Sequence, residues 1–195
     1  MSREDEDLIP LISMDYMYMR SNHDDREEGN LRLMTMLVIV DRRSRYIAAH
    51  VVKEKGADGS AIKVLRQELD YMGYRRIVCR NDQESPVEAL KSAVKREWPG
   101  EMVPENSPVG EHQSNGLIER AIQSVQGMIR TMRDALEGRY RMMIDGHNPI
   151  VSWKVTHAAA TSSRFQVGED GKTPTERIMW RTCNRAQVEF RECVM

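Results

Sequence analysis

Apolar and polar positions along the chain alternate with two different periods, and the switches between them mark out the elements. Leu8–Met19 is a run of large apolar and aromatic residues interrupted by Asp15, which predicts a first strand. Met34–Val40, the centre of a segment from Leu31 to Val40, is almost continuously apolar, the pattern of a strand buried on both faces. Asp41-Arg-Arg-Ser-Arg45 then predicts a hairpin turn, with Tyr46–Val52 returning as a third strand. After a charged loop, Lys53–Gly59, the period changes to that of a helix: Ile62, Leu65, Leu69 and Met72 share one face, Ser60 is placed to cap it and Gly73 to stop it.

Arg75–Cys79 predicts a short strand that lies parallel in the sheet after this helical crossover. Ser85-Pro86-Val-Glu88 reads as a capping box with Pro in the first turn, followed by Val87, Leu90, Val94 and Trp98 on one helix face. Glu101–Ser107 predicts another strand. Asn106–Gly127 then reads as a loop opening into a helix that runs to about Arg141. On that helix Ile118, Ala121, Ile122, Val125, Ile129 and Met132 form an apolar stripe, and Glu119 heads a polar line through Gln123, Gln126, Arg130 and Arg133. Asp145-Gly146 and Asn148-Pro149 predict a turn, Ser152–Phe165 a further helix, and Thr173-Pro174-Thr-Glu176 a second capping box opening a short helix through Trp180.

Composition narrows the class. An apolar share of 40% with 30% charged residues is that of a soluble globular domain, and no apolar run has the length of a membrane span. The acidic start, residues 1–7, is expected to be a disordered lead-in and lacks the basic and apolar regions of a secretory signal, so an intracellular protein is expected. Cys79, Cys183 and Cys193 form no close pair, and no Cys/His spacing suggests zinc. The net charge of −1 hides nine acids in residues 1–28 against three arginines, which leaves 26 basic and 21 acidic residues in the remainder. That mild basicity does not by itself mark a nucleic-acid binder.

Three acids stand at informative places. Asp15 lies inside an apolar strand, where a charge is costly unless paired, metal-bound or at a frayed end. Asp82 follows the parallel strand directly and precedes a helix start, the end of the sheet where sites form in open α/β folds; Glu84 is a rival acid two residues on. Asp41 fits a turn residue better than a catalytic acid.

Gln113-Ser-Asn115-Gly116-Leu-Ile-Glu119-Arg120 resembles the third acidic motif of retroviral and LTR-retrotransposon integrases, with His112 where that family often has Pro. The hairpin Val40-Asp41-Arg-Arg-Ser-Arg-Tyr46 and the Thr173-Pro174-Thr-Glu176 segment are similar to pieces of the same family, and 36 residues separate Asp82 from Glu119, near its usual spacing. The resemblance implies an α/β, ribonuclease-H-like fold: a five-stranded mixed sheet, three antiparallel strands then parallel ones, flanked by helices. It implies a catalytic core over 8–145 with a C-terminal helical extension over 146–195. It further implies DNA 3′-end processing and strand transfer by Asp15, Asp82 and Glu119, which would hold two Mg²⁺ or Mn²⁺ ions. Gln113, Asn115, Gln123, Gln126 and Arg130 are the expected DNA contacts, although the helix line also fits a solvated face. The implied partners are double-stranded DNA, both element ends and target, and a second copy of the chain in a homodimer or higher oligomer, with no membrane. The implied place of action in a eukaryotic host is the nucleus.

The sequence departs from that family in places. Glu84 stands where Gly is usual, which either crowds the site or adds a fourth carboxylate, and Gln123 and Gln126 replace the usual Lys residues. The family's zinc-binding and basic flanking domains are missing from the sequence, so a domesticated, non-catalytic DNA- or protein-binding module and an insertion-sequence transposase stand as alternatives.

Overall fold

The strand built around Asp15 is the axis of the fold. The computed structural model describes residues 9–20, 33–81, 84–106, 112–145 and 148–182. Strand β1 (Leu11–Arg20) lies at the centre of a sheet with β2 (Leu33–Asp41), β3 (Ile47–Val51), β4 (Arg76–Asn81) and β5 (Glu101–Asn106), in the order β3-β2-β1-β4-β5. β1–β2 and β2–β3 are antiparallel, and β1–β4 and β4–β5 are parallel. This is the mixed sheet expected from the sequence. The lead-in at 1–7, the loop at 21–30, Cys183 and Cys193 lie outside the described residues.

Each face of the sheet has its own core, which explains the patterning of the strands. Ile12, Met14 and Tyr16 of β1, with Leu37 and Ile39 of β2, pack against helices α1 (Gly59–Met72) and α2 (Ser85–Glu97) through Leu65, Leu69, Leu90 and Val94. The alternate positions, Met17 of β1 with Met36, Val38 and Val40 of β2, pack against α3 (His112–Tyr140) and α4 (Pro149–Phe165). β2 is thus apolar at nearly every position because it is covered on both sides. Cys79 points into the first core, where burial pushes its thiol up to about 12. Among the described residues no helix is long and apolar enough to cross a membrane.

Local chemistry sets the element ends, in some cases not as expected. Asp58 caps α1 by accepting from the Ser60 N–H, so Ser60 lies within the first turn and is not the cap; Gly73 ends the helix at φ +72° as expected. The Ser85 capping box does not form: Glu84 takes the cap position without a side-chain bond. Glu88 instead accepts from buried Lys91 at 2.7 Å, so its carboxylate is engaged and does not turn back to the cap. The second box does form. Thr173 Oγ1 accepts from the Glu176 N–H, and the Glu176 carboxylate accepts from the Thr173 N–H, opening α5 (Pro174–Met179). α4 starts at Pro149 with Asn148 as cap, three residues earlier than the sequence predicted.

Asp41 is fully buried at the β2–β3 turn. It accepts from the Arg43 and Ser44 N–H groups, the Ser44 hydroxyl and the Tyr74 hydroxyl, the last two at 2.6 and 2.7 Å. It organises the turn, as the sequence suggested.

Candidate functional site

Asp15 sits in the middle of the central strand and is only half buried. Its Cα partner on β2 is Val38, and the alternation of β1 puts it on the face of Met17 and Val38, the face covered by α3. One of its carboxylate oxygens accepts from the Tyr16 N–H at 2.7 Å. The helix above brings Ile118, Ala121, Val125 and Ile129 down onto this face. Glu119, the residue after Ile118, is exposed. It stands two turns into α3 rather than at its start, because the helix already begins at His112.

The parallel neighbour, β4, leads toward the third expected position, Asp82. β4 pairs Ser13 with Arg80, two residues before Asp15 and Asp82 respectively, and ends at Asn81. Asp82 itself, the side chains of Gln113 and Asn115, and residues 107–111 lie outside the described residues. Among the described residues no three His, Cys, Asp or Glu side chains gather closely enough to hold a metal ion.

Glu84 turns away from this face. Its carboxylate pairs with Lys55 at 3.3 Å, and the Lys55 ammonium lies over the rings of Tyr16 and Tyr18, which belong to the opposite side of the sheet from Asp15. Desolvation lowers the Lys55 pKa, but bonding to Tyr18 and Glu84 outweighs it and holds the ammonium above its ordinary value. In this arrangement Glu84 adds no fourth carboxylate beside Asp15.

Arg80 is a residue that the sequence reading passed over. Ile77 and Cys79 point into the α1–α2 core, so Arg80 points to the Asp15 face, where its guanidinium reaches Glu105 of β5 at 2.6 Å. Its Nε is buried without a hydrogen-bond partner. The period-two alternation before Asp82 contained this signal, because residues 78, 80 and 82 of a regular strand share a face.

The polar line along α3 is only partly free. Gln123 and Arg130 are exposed and Gln126 is half buried. Arg133 is committed to a joint: its guanidinium donates to Glu137 at 2.8 Å and to the Ile144 carbonyl at 3.1 Å, while Glu137 accepts from the Ile144 N–H. Burial alone would raise the Glu137 pKa, but these bonds hold it below its ordinary value.

No protein-family model matches the sequence, and no curated protein matches it. Solved structures match the fold. The chain superposes on the catalytic core domain of BIV integrase with a TM-score of 0.58 at 16% identity, over 87% of this chain and 93% of that one. It also superposes on a chain of the simian T-cell lymphotropic virus intasome, solved with PP2A regulatory subunit B56 gamma, with a TM-score of 0.62 at 15% identity, over 88% of this chain and 55% of that one. The protein has the ribonuclease-H-like fold of integrase catalytic cores.

Proposed function

We propose that the chain is an integrase catalytic core that processes DNA 3′ ends and transfers them to target DNA in a divalent-metal-dependent reaction. The observation that carries this reading is the position of Asp15. This acid stands inside the central strand, on the face overlaid by the helix that bears Glu119, where the resemblance places the first metal ligand. The β1–β4 register, with Ser13 beside Arg80, supports Asp82 as the third member.

The donor set suits the expected ions. Asp15, Asp82 and Glu119 offer only carboxylate oxygens, the hard ligands that Mg²⁺ and Mn²⁺ take. When bound, a pair of such ions supplies charge neutralisation at the phosphodiester and activation of the attacking oxygen. The protein's own part is placement. Asp15 is fixed by the central strand and its bond to the Tyr16 N–H, and Glu119 by the packing of Ile118 and Ala121 beneath it. Gln123, Gln126 and Arg130, with Gln113 and Asn115 before them, would lie along the DNA, and Arg130 alone among the described members of that row adds counterion release. No serine or cysteine is needed as nucleophile, because water or a DNA 3′-hydroxyl serves.

The homodimer expected from the resemblance has a candidate face on α4. Trp153 stacks on His157 at 4.4 Å and is half exposed, and Phe165 is also half exposed at the helix end. The first test is a Mn²⁺- or Mg²⁺-dependent strand-transfer and reversal assay on branched DNA, comparing the chain with Glu119→Gln. Metal-dependent joining that is lost in the variant is the expected result. Inactivity of both proteins, with no thermal stabilisation by either metal, would overturn the catalytic reading in favour of a binding module.

A further inference from the structure

A cleft of about 600 Å³ opens beside the candidate site, between the β2–β3 turn, one face of α3 and the loop joining α4 to α5. Val40, Leu117 and Ala121 contribute apolar surface to its wall, and four arginines border it: Arg43 and Arg45 from the turn, Arg120 from α3 and Arg177 from α5. Two acids, Glu169 and Asp170, also line it. Asp170 is already committed. It binds Arg177 through two hydrogen bonds, one of them 3.0 Å from Nε, while Arg177 Nη1 donates to the Ser44 carbonyl at 2.8 Å and ties the loop to the turn.

The other three guanidiniums form no ion pair with any described carboxylate. Arg120 spends its Nε on the Gly116 carbonyl at 2.9 Å, which holds the side chain against its own helix and leaves its terminal nitrogens without an ion-pair partner among the described residues. Arg45 has φ +65°, a left-handed conformation that glycine takes freely and a residue with a Cβ takes at a cost. Its N–H is held to the Asp41 carbonyl at 2.8 Å, so the turn fixes this geometry. The chain therefore sets a left-handed arginine and two further arginines without a described ion-pair partner around one cleft, an arrangement that an anion would complement.

We infer that this cleft is a phosphate-binding site for a nucleic-acid backbone, carried by Arg43, Arg45 and Arg120. Several guanidinium forks spread around an open cleft suit successive phosphates of a strand, each of which a fork can hold through two N–H groups. The placement suits the same ligand: Arg120 follows Glu119 directly and lies about 100° round α3 from it, so DNA crossing the exposed face of the helix reaches the cleft and the turn. The inference rests on the reading of the chain as one that acts on DNA, but it requires no metal.

The test is equilibrium binding of a short labelled DNA duplex in EDTA over a series of salt concentrations, with the melting temperature of each protein measured beside it. Arg45→Gly and Arg120→Ala are each expected to weaken binding and to lower the slope of log K against log salt by about one. Arg45→Gly should do so with an unchanged or higher melting temperature, which a structural role for Arg45 would not produce. Arg96→Ala, an exposed arginine on α2, should bind as the parent does. A parental slope in both cleft variants, or an equal loss in Arg96→Ala, would overturn the inference. Because EDTA removes the metal, intact metal-dependent joining with no effect in the cleft variants would discard the cleft alone. Loss of joining with the cleft effect intact would discard only the catalytic reading.

Discussion

The Ser163 hydroxyl exchanges two hydrogen bonds with Ile47, donating to its carbonyl and accepting from its N–H, each at 2.9 Å. A side chain of α4 thereby imitates a strand partner for β3, the sheet's outer strand on that side, and covers an edge that would otherwise present unpaired backbone. Ser163→Ala strands both Ile47 groups in a buried setting, which should cost about 1–3 kcal/mol in urea unfolding. A loss below a few tenths would mean that the helix does not close the edge.

Tyr74 predicts an alkaline limit. Burial first, then its bond to Asp41, holds the phenol above its ordinary value of 10, and burial likewise raises Tyr16 and Tyr46. A folded-state pKa above the unfolded one gives stability that is whole below pH 10 and lost as pH rises through the folded value. The tyrosine contribution should therefore be flat up to about pH 10 and fall beyond it. Tyr74→Phe should cost roughly 1–2 kcal/mol at neutral pH and make the alkaline fall shallower.

Lys154 is fully buried on α4, and burial, followed by the charge of Arg133, lowers its pKa. A depressed lysine pKa means that the charge opposes folding at neutral pH and that stability grows as pH climbs through the folded value. Lys154→Met keeps the length and removes the charge, and it should raise stability by about 1 kcal/mol at pH 7, with the gain shrinking toward pH 10. A destabilised variant would show that Glu137 and Asp134 outweigh the burial.

Asp170 tests the cleft and acid stability together. Its bond to Arg177 holds the carboxyl at about 2, so its contribution is whole above the usual carboxylate range and lost as pH falls through 2. Asp170→Asn should make the acid unfolding profile shallower between about pH 4 and pH 2. It should also free Arg177 within the cleft and tighten duplex binding in EDTA, a gain that fluorescence titration would read directly.

Much of this architecture is written in local patterns. The apolar run Met34–Val40 foretold a strand covered on both faces, Thr173-Pro174-Thr-Glu176 a working capping box, and Gly73 a left-handed stop. The misses have local causes that spacing does not show. The cap of α2 falls on Glu84 rather than Ser85, with Glu88 turned to Lys91, and α3 starts early, at His112, despite the Pro and Gly just before it. Contacts between distant segments were out of reach: Ser163 on Ile47, Lys55 on Glu84, Arg177 on Ser44. Lys154 reads as a surface residue in any one-dimensional pattern and is buried only because α4 packs against α3. For the site, the sequence identified Asp15 as an acid inside an apolar strand, but not the Arg80–Glu105 pair beside it or the arginine cleft.

The two seams of β1 differ in how they are made. β2 returns on it along nine residue pairs, from Ile12–Asp41 to Arg20–Leu33, whereas among the described residues β4 meets it at Leu11–Ser13, after a helical crossover. The longer closure costs more chain entropy before contacts offset it. The meander of β1, β2 and β3 should accordingly assemble first, with β4 docking onto it later. In the folded protein the short seam should also open more readily, so amides of β4 are expected to exchange with solvent before those of β2. On that expectation the strand that bears Asp15 is held more firmly on its β2 flank than on the flank that leads to Asp82.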